Sequence, residues 1–379
     1  MNSIVENALK RSGSPEDKIA RFRIESTSGA TFSNVDYFKL AEQQFGIQVK
    51  KAKIVVVGCG GAGSNSVTRL TEMGVEGAYT VSLNTDAKAL AVSKADKKIL
   101  IGKELTKGLG CGGYPEVGRK AAEESRNEIK EAIEGADLVF TLAGLGKGTG
   151  TGSAPVVAEI AKSMGALVIA VVTMPFKIEG ARISKAEDGL AALRQHADTV
   201  IVIENDKLLK YAGNLTIQQA FAVADELIAS MVKGITETIT LPSLVNLDYA
   251  DVRAVMSTGG GVAAIGVGES NSSDRARDAV MKALQNPLLE VDYAGAQGAL
   301  VHITGGPDLK LEEVNLIGET VAQSLDPSAT VYWGARILPE FEGKLQVITI
   351  ITGVKSPYIL GRVSREQPLI REVNPFLGI

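Results

Sequence analysis

Short apolar runs alternate with amphipathic stretches through the first half of the chain, from Lys53 onward. Helical patterns such as Glu116 to Glu134 and Ala154 to Met164 separate most of these runs. Continuous apolar strands that alternate with helices indicate a parallel sheet covered on both faces. Residues 51–215 are therefore predicted to form an α/β, doubly wound parallel-sheet domain. Its predicted strands are Ile54 to Val57, Tyr79 to Leu83, Ile99 to Ile101, Leu138 to Ala143, Leu167 to Thr173 and Val200 to Ile203.

The pattern changes in the second half of the chain. Apolar residues recur at helical spacing from Ile217 to Thr240, which predicts a connecting core helix at 216–241 that ends at Pro242. Residues 242–354 are predicted to form a smaller α+β domain, with one sheet covered by helices on one face. Its strands are Val262 to Val267, Ala299 to Thr304, Thr330 to Arg336 and Leu345 to Ile351, and its helices are Ser273 to Leu284 and Leu311 to Leu325. The remaining residues are predicted to form an N-terminal extension, 1–50, and a short tail, 355–379.

Composition narrows the function classes. Among 379 residues, 40 Lys and Arg oppose 44 Asp and Glu, and the net charge of −4 argues against a general nucleic-acid binder. The most apolar stretch, Ala166 to Met174, is far shorter than the roughly 20 residues of a membrane-spanning helix, and Met1 to Lys10 lack a signal-peptide core. Only Cys59 and Cys111 are present, which favours a reducing cytoplasm. The 41 glycines are concentrated in a few loops.

The first of these loops follows a strand and opens a helix. Its glycines, Gly58, Gly60 and Gly63, permit positive φ and let backbone N–H groups approach a phosphate closely, where the helix N-terminus adds partial positive charge. The same spacing is typical of dinucleotide-binding proteins, and Asp86 lies near the position of their ribose-binding carboxylate. An NAD-dependent oxidoreductase is one hypothesis at this point, and a tight turn that binds nothing is another.

A second loop, Gly144 to Gly152, changes this balance. Five glycines at alternate positions are costly in backbone entropy, and two threonine hydroxyls accompany them at a second helix start. This composition indicates a triphosphate site, for which a dinucleotide enzyme has no need. The loop is not a Walker loop, because Gly148 follows Lys147 where Ser or Thr would be required. A third glycine-rich segment, Gly108 to Pro115, is equally consistent with a phosphate-sensing lid and with a mobile surface loop.

Together these motifs resemble the FtsZ/tubulin family of polymerising GTPases. The family's Gly-Thr-Gly-Thr-Gly signature matches Gly148 to Gly152, and the resemblance covers about residues 52 to 353. Thr151 and Asp251 favour the FtsZ branch over the tubulins, and the run at 301–308 is similar to archaeal members. The other matching segments are Gly58 to Asn65, Asn84-Thr85-Asp86, Pro175 to Gly180, Asn205-Asp206-Lys207 and Asn246 to Arg253.

The resemblance implies a site for GTP or GDP, with Mg²⁺ held mainly by phosphate oxygens and water. Phe221 would stack on guanine, Asn205 and Asp225 would read its edge, and Glu179, partnered by Arg182, would meet the ribose. On sequence alone, Phe221 at helical spacing is more typical of a core residue. The loops around the phosphates would contribute Gly60, Gly61, Ala62, Gly63, Ser64, Asn65, Asn84, Asp86, Gly110, Cys111, Gly112, Gly146, Lys147, Gly148, Thr149, Gly150 and Thr151.

The resemblance also implies where hydrolysis occurs. Asp248 and Asp251 would polarise the attacking water and Asn246 would touch phosphate, all on GTP bound to the next subunit of a head-to-tail filament. From the residues alone, two carboxylates three positions apart at a helix start indicate simple capping. No Ser, Cys or His constellation competes for catalysis, because His196 and His302 lack partners at metal-ligand spacing. The implied role is a cytoplasmic, mid-cell division filament, with a tail that contacts a membrane-tethering adaptor or other division proteins.

Three departures from the family pattern stand out. Lys147 occupies a position where the family usually has glycine, so it would either pair with phosphate oxygens or crowd the loop. Cys59, Ala62 and Ser64 make the first loop less purely glycine than is usual. The segment from Glu179 to Gly189 is one residue shorter than in some bacterial relatives. Lys147 is the basis of an alternative function, a GTP-dependent filament scaffold with little hydrolysis.

Overall fold

The computed structural model describes residues 52–206, 216–241, 243–257, 263–285 and 292–354. The predicted extension, the tail and Pro242 lie outside these ranges, as does Lys207 of the predicted base-and-ribose segment.

A six-stranded, all-parallel sheet forms the first half of the fold. Its order is β3-β2-β1-β4-β5-β6, so the direction of winding reverses between β1 and β4. Ligands of doubly wound sheets bind at such a switch point, beyond the carboxyl ends of the strands. The strands are β1 (Ile54–Cys59), β2 (Ala78–Asn84), β3 (Lys97–Leu100), β4 (Leu138–Gly144), β5 (Leu167–Met174) and β6 (Thr199–Glu204).

Helices cover both faces of this sheet, as the apolar runs predicted. Alternate residues of β1 show the reason, because Val55 and Val57 pack into one buried cluster while Ile54 and Val56 pack into another. The helices are α1 (Gly60–Glu72), α2 (Ala87–Val92), α3 (Lys103–Thr106), α4 (Pro115–Glu124), α5 (Arg126–Ala132), α6 (Thr149–Ser163) and α7 (Ala181–Arg194), and a 3₁₀ turn spans Lys177–Glu179.

The helix predicted from Glu116 to Glu134 is two helices, α4 and α5. The break is at Ser125, where φ and ψ are −100° and 18°. The Ser125 hydroxyl accepts a hydrogen bond from the backbone N–H of Gly102, in the loop after β3. A contact between residues 23 positions apart distorts the helix, and no helix-breaking residue marks the site in the sequence.

The predicted long helix is α8 (Ile217–Thr240), and it joins the two sheets. Thr216 caps its first turn by accepting from the backbone N–H of Gln219 at 3.3 Å. The last helical residue is followed by Leu241 in an extended conformation, as expected for a residue before proline. A shorter helix, α9 (Tyr249–Ser257), follows the segment 243–248.

A four-stranded sheet in the order β7-β10-β8-β9 forms the second half. Its strands are β7 (Ala263–Ser270), β8 (Gly298–Gly305), β9 (Thr330–Ile337) and β10 (Leu345–Thr352), with helices α10 (Arg275–Leu284) and α11 (Leu311–Gln323). One face packs on α10 and α11 through residues such as Val301 and Val347.

The other face of this second sheet is also buried, which corrects the one-sided cover predicted from the sequence. Leu300 and Ile350 belong to the same cluster as Met231 of α8 and Val252 of α9. The strands carry apolar residues on both faces, so their pattern is a continuous run rather than an alternation. Within the residues that the structure describes, no helix has the length and apolar character needed to cross a membrane.

Candidate functional site

Two glycine loops meet at the carboxyl ends of β1 and β4, where the sheet reverses direction. Helix α1 begins at Gly60, directly after β1, and α6 begins at Thr149 after the loop that follows β4. Gly60 has φ of +71°, and a Cβ there would lie 2.7 Å from the backbone nitrogen of Gly150. Only glycine allows this approach, so the N-termini of the two helices lie side by side. The backbone N–H groups of both first turns are thereby available to an anion.

Hydroxyl groups and a thiol connect the loops around this point. The Oγ1 atoms of Thr85 and Thr149 are 2.7 Å apart, and Cys111 Sγ lies 3.3 Å from Thr85 Oγ1 and 3.6 Å from Thr149 Oγ1. Thr151 Oγ1 accepts from the backbone N–H of Gly146 at 2.9 Å. Ser64 Oγ is buried and has no hydrogen-bond partner among the described residues. These contacts fix the glycine loops and leave one buried hydroxyl at the start of α1 unpaired.

The third glycine segment is anchored to the end of β2. Gly110 donates its N–H to the carbonyl of Thr85 at 3.1 Å, and Gly108 accepts from Ala87 at 3.0 Å. Leu109 at the tip is 84% exposed. Lys185 of α7 reaches the carbonyl of Gly113 at 2.9 Å. This segment therefore lies beside the other two glycine loops and presents an apolar side chain to solvent.

Asp86 and Asn84 have structural partners at this edge. Asp86 Oδ1 accepts from the N–H groups of Lys88 and Ala89 at 2.9 and 3.0 Å and so caps α2. Asn84 Oδ1 accepts from the N–H of Asp86 at 3.2 Å. A carboxylate that caps its own helix is not aimed at a ribose, so the position that suggested NAD binding is explained by local structure.

Aromatic and polar groups predicted to bind a base lie along the first turns of α8. Phe221 is 44% exposed, and its ring centroid is 6.0 Å from that of Phe176 with the ring planes at 52°. Asp225, one helical turn later, accepts a hydrogen bond from Ser66 Oγ at 2.7 Å. Burial raises the pKa of Asp225, and the bond from Ser66 partly opposes that rise. Asn205, at the end of β6, is buried.

Glu179 lies in the turn before α7 and is paired with Arg182. Its Oε1 also accepts from the backbone N–H of Phe176 at 3.1 Å. Lys147 is exposed, and no ion pair holds it within the described ranges. The turn therefore presents a carboxylate that is paired with an arginine, whereas the second glycine loop presents a cation without an ion-pair partner among the described residues.

Asp248 and Asp251 form a reciprocal cap at the start of α9. The N–H of Asp248 donates to Asp251 Oδ2 at 3.0 Å, and the N–H of Asp251 donates to Asp248 Oδ1 at 2.9 Å. Asn246, just before them, is exposed and accepts from the N–H of Ser243 at 2.7 Å. The capping interpretation is thus correct for both carboxylates, and each retains an oxygen that is not used in the cap.

These three residues do not join the other predicted site residues. The hydroxyl of Tyr249, the first residue of α9, donates to the carbonyl of Asp137 at 2.8 Å, and Asp137 immediately precedes β4. The glycine loop Gly144 to Gly152 leaves the other end of β4, and the 7 residues of that strand span about 20 Å. Asp248 and the glycine loops therefore occupy opposite ends of the parallel sheet.

Sequence reasoning missed several groups that touch the site. Ser66 contacts Asp225 on α8, whereas Lys185 and the hydroxyl of Thr85 contact the glycine loops. Thr85 and Phe176 lie within segments that match the family, Asn84-Thr85-Asp86 and Pro175 to Gly180, and this position in the sequence could have identified them. Ser66 and Lys185 carry no such signal, because their partners are 159 and 72 positions away.

Comparison with known proteins agrees with this architecture. Residues 53–213 match the Tubulin/FtsZ family GTPase domain, and residues 261–355 match the FtsZ family C-terminal domain. Cell division protein FtsZ 2 of Methanocaldococcus jannaschii is 59% identical over 345 residues, covering 90% of each chain. Cell division protein FtsZ 1 of Pyrococcus abyssi is 52% identical over 376 residues, covering 99% of this chain and 98% of the relative.

Solved structures give the same result. The empty FtsZ dimer of M. jannaschii has a TM-score of 0.77 at 54% identity, over 83% of this chain and 92% of that one. A GTPγS-bound protofilament of CetZ2 from Haloferax volcanii has a TM-score of 0.68 at 27% identity, over 80% and 93%. The predicted family resemblance is confirmed, and so is its similarity to archaeal members. The chain belongs to the FtsZ family of cell division proteins, which carry a tubulin-like GTPase domain.

Proposed function

We propose that this protein hydrolyses GTP at the junction between successive subunits of a head-to-tail filament. The observation that carries the proposal is the separation of Asp248 from the phosphate loops by the length of β4. No carboxylate at one end of the sheet can act on a nucleotide bound at the other end of the same chain. A second subunit, stacked with its α9 end on the loop end of the first, would supply the carboxylates that the nucleotide site of the first subunit lacks.

The loop end of the sheet is suited to the phosphates of GTP. Two adjacent helix N-termini, the hydroxyls of Thr149 and Thr151 and the unpaired hydroxyl of Ser64 offer donors to phosphate oxygens. The exposed ammonium of Lys147 adds a positive charge in the same loop. The other residues proposed at the phosphates are Gly60, Gly61, Ala62, Gly63, Asn65, Asn84, Asp86, Gly110, Cys111, Gly112, Gly146, Gly148 and Gly150.

Mg²⁺ fits this site as a cation that the nucleotide itself coordinates. The described residues contain no group of three or more His, Cys, Asp or Glu able to hold a metal ion. A hard cation held mainly by phosphate oxygens and water needs no such group. When bound, it would neutralise charge on the phosphates, while the protein groups position them.

The guanine end is proposed to use stacking and a carboxylate. Phe221 offers an exposed ring face, and Asp225 can accept from both the N1–H and the exocyclic amine of guanine. Adenine presents no matching pair of donors, so the carboxylate would be left unpaired at a cost of about 1–3 kcal/mol. Asn205 completes the edge contacts, and Glu179 with Arg182 lies towards the ribose.

Hydrolysis would use two carboxylates of the neighbouring subunit, the exposed Asp248 and the half-buried Asp251. The reciprocal cap fixes the side-chain rotamers of Asp248 and Asp251, so that their remaining oxygens can orient and polarise a water molecule. Asn246 would contact the phosphate from the same segment. Contacts that repeat head to tail without closing into a ring produce filaments.

We further propose the cellular context that family membership implies. The filament would act in the cytoplasm at the mid-cell division site, with no nucleic-acid partner and no direct membrane insertion. The tail, 355–379, would contact a membrane-tethering adaptor and other division proteins. The functional units would be an extension at 1–50, a GTP-binding domain at 51–215, the core helix at 216–241 and an activation domain at 242–354.

Phosphate release at several protein concentrations tests the proposal. GTP is compared with ATP, and pelleting is measured in the same samples. Specific activity that rises cooperatively above a threshold concentration, together with GTP-dependent pelleting, is the expected result. Turnover that is independent of protein concentration would contradict a shared site. Pelleting without turnover would instead support the filament scaffold.

Asp248→Ala tests the role of the α9 carboxylate. Because Asp248 lies far from the phosphate loops of its own chain, the variant should bind GTP with unchanged affinity. Its phosphate release should fall at least a hundredfold, as is usual when a group that orients the nucleophile is lost. Equilibrium binding and single-turnover assays on the same preparation measure the two effects. Unchanged turnover would remove Asp248 from the mechanism.

A further inference from the structure

Ser66 makes a hydrogen bond that joins α1 to α8 beside the proposed base site. It is 2% exposed, and its hydroxyl lies 2.7 Å from Asp225 Oδ1, across 159 residues of sequence. Neither the quoted motifs nor any neighbouring sequence signal assigns it a role. The contact is made to the one carboxylate that is proposed to distinguish guanine from adenine.

The hydroxyl proton of Ser66 can serve one strong acceptor. The carbonyl oxygen of Ala62 lies 3.3 Å from Ser66 Oγ, against 2.7 Å for Asp225 Oδ1. An ionised carboxylate is the stronger acceptor, and the shorter distance agrees with a charge-assisted bond. Ser66 therefore donates to Asp225, which fixes the rotation of the carboxylate about its last side-chain bond.

The second oxygen of the carboxylate stays open. Among the described residues, no protein donor reaches Asp225 Oδ2 within hydrogen-bond distance. Burial raises the pKa of Asp225 and thus favours its neutral form, whereas the bond from Ser66 favours the charged form. Ser66 thus holds one oxygen of the carboxylate in one orientation and leaves the other oxygen available at the edge of the base site.

We propose that Ser66 is a positioning residue that sets the preference for guanine by orienting Asp225. The proposal rests on the proposed function, because it requires Asp225 to contact the base. With Oδ1 held by Ser66, the carboxylate plane is fixed so that the N1–H and the exocyclic amine of guanine meet its acceptors together. Without Ser66, the carboxylate can rotate, and the two guanine donors no longer meet two acceptor oxygens that are already oriented.

Equilibrium binding of GDP, IDP and ADP to the full chain tests this proposal without interference from hydrolysis. Inosine lacks the exocyclic amine, so IDP keeps only one of the two donors. Ser66→Ala should lower GDP affinity by roughly tenfold, IDP affinity by less and ADP affinity hardly at all. Ser66→Cys, which is nearly the same size and a weak donor, should give an intermediate loss for GDP.

The control variants separate positioning from general damage to α1. Thr71→Val removes another hydroxyl from the same helix, one that bonds to the carbonyls of Val67 and Lys94, and should leave all three affinities unchanged. Asp225→Asn should itself abolish the preference for GDP. In that background, Ser66→Ala should have no further effect, because the group on which it acts is gone.

Two results would overturn the assignment of Ser66. One is an equal loss of affinity for all three nucleotides in Ser66→Ala, which would indicate a structural role only. The other is an unchanged preference in both Ser66→Ala and Ser66→Cys. Failure of the proposed function is a different result, in which the unmutated protein binds ADP as well as GDP or Asp225→Asn keeps the preference.

Discussion

His302 links the stability of this fold to pH through one buried side chain. It lies on β8, 4% exposed, and its Nδ1 has no hydrogen-bond partner within the described part of the chain. Burial, with a smaller contribution from the charge of Arg336, lowers the pKa of His302 to about 4. The imidazole is therefore neutral in the folded protein at pH values where the unfolded chain binds a proton.

Stability should consequently fall as the pH drops from about 6.5 to about 4. In that window the unfolded state binds a proton that the folded state does not bind. The lowered pKa corresponds to roughly 3 kcal/mol in the free energy of unfolding. His302→Leu should make the dependence of unfolding free energy on pH shallower by about this amount. Urea unfolding at pH 7 and pH 4 measures it.

Thr304→Val is the matched control for this prediction. It removes a buried polar group from the same strand without removing a titrating group, so its pH dependence should follow that of the unmutated protein. A His302→Leu variant with the full original pH dependence would show that other groups carry it.

At the level of elements, the close approach of α4 to α6 holds two glycine loops together. A Cβ on Gly118 of α4 would lie 2.3 Å from the carbonyl oxygen of Gly148, and one on Gly152 of α6 would lie 2.1 Å from that of Pro115. The obstacles are backbone atoms, which cannot move without shifting a loop. The two helices are therefore in backbone contact, next to the glycine loops.

Gly118→Ala should disturb this contact. We expect a loss of about 1–3 kcal/mol in unfolding free energy, as for other insertions into well-packed regions, and weaker GDP binding because the loop at Gly148 must shift. Gly318→Ala is the matched control, since Gly318 also lies in a helix and its Cβ would meet nothing within 4 Å. That control should gain about 0.5–1 kcal/mol. Equal effects of the two substitutions would contradict a special contact at Gly118.

The helices and strands are easier to predict from the sequence than the elements against which they pack. All six strands of the first sheet overlap predicted apolar runs, because five of them are buried over most of their length and so need few polar positions. The edge strand β3 has only Ile99 buried, and its predicted run overlaps it by two residues. Burial on both faces concealed the second layer over the second sheet, since Leu300 and Val301 look alike in sequence but face different helices. The break at Ser125 depends on a bond to Gly102, which only the folded chain brings near.

In the candidate site, too, local features are visible in the sequence and long-range contacts are not. Glycine loops at helix starts are visible in sequence because their chemistry is local. The bond from Ser66 to Asp225 and the contact of Lys185 with Gly113 are long-range, so neither leaves a local pattern. Phe221, which spacing alone assigns to a core, is 44% exposed beside Phe176.

At the scale of the whole molecule, α8 connects the two ends of the fold. Its 24 residues span about 36 Å, with Phe221 and Asp225 in its first turns and the segment 243–248 after its last residue. One helix thus runs from the proposed base site to the segment that precedes Asp248. In the proposed reaction, the base site and Asp248 are separated by the length of this helix, so they would meet only between molecules.

Mixing two inactive variants tests the shared site most directly. Asp248→Ala subunits should bind GTP but lack the carboxylate, and Asp225→Ala subunits should keep the carboxylate but bind GTP weakly. Each variant alone should release phosphate near background. An equal mixture should regain roughly a quarter of the unmutated activity, the share of randomly formed head-to-tail junctions that pair a bound GTP with an intact Asp248. A mixture that pellets as joint filaments yet stays at background would contradict the account.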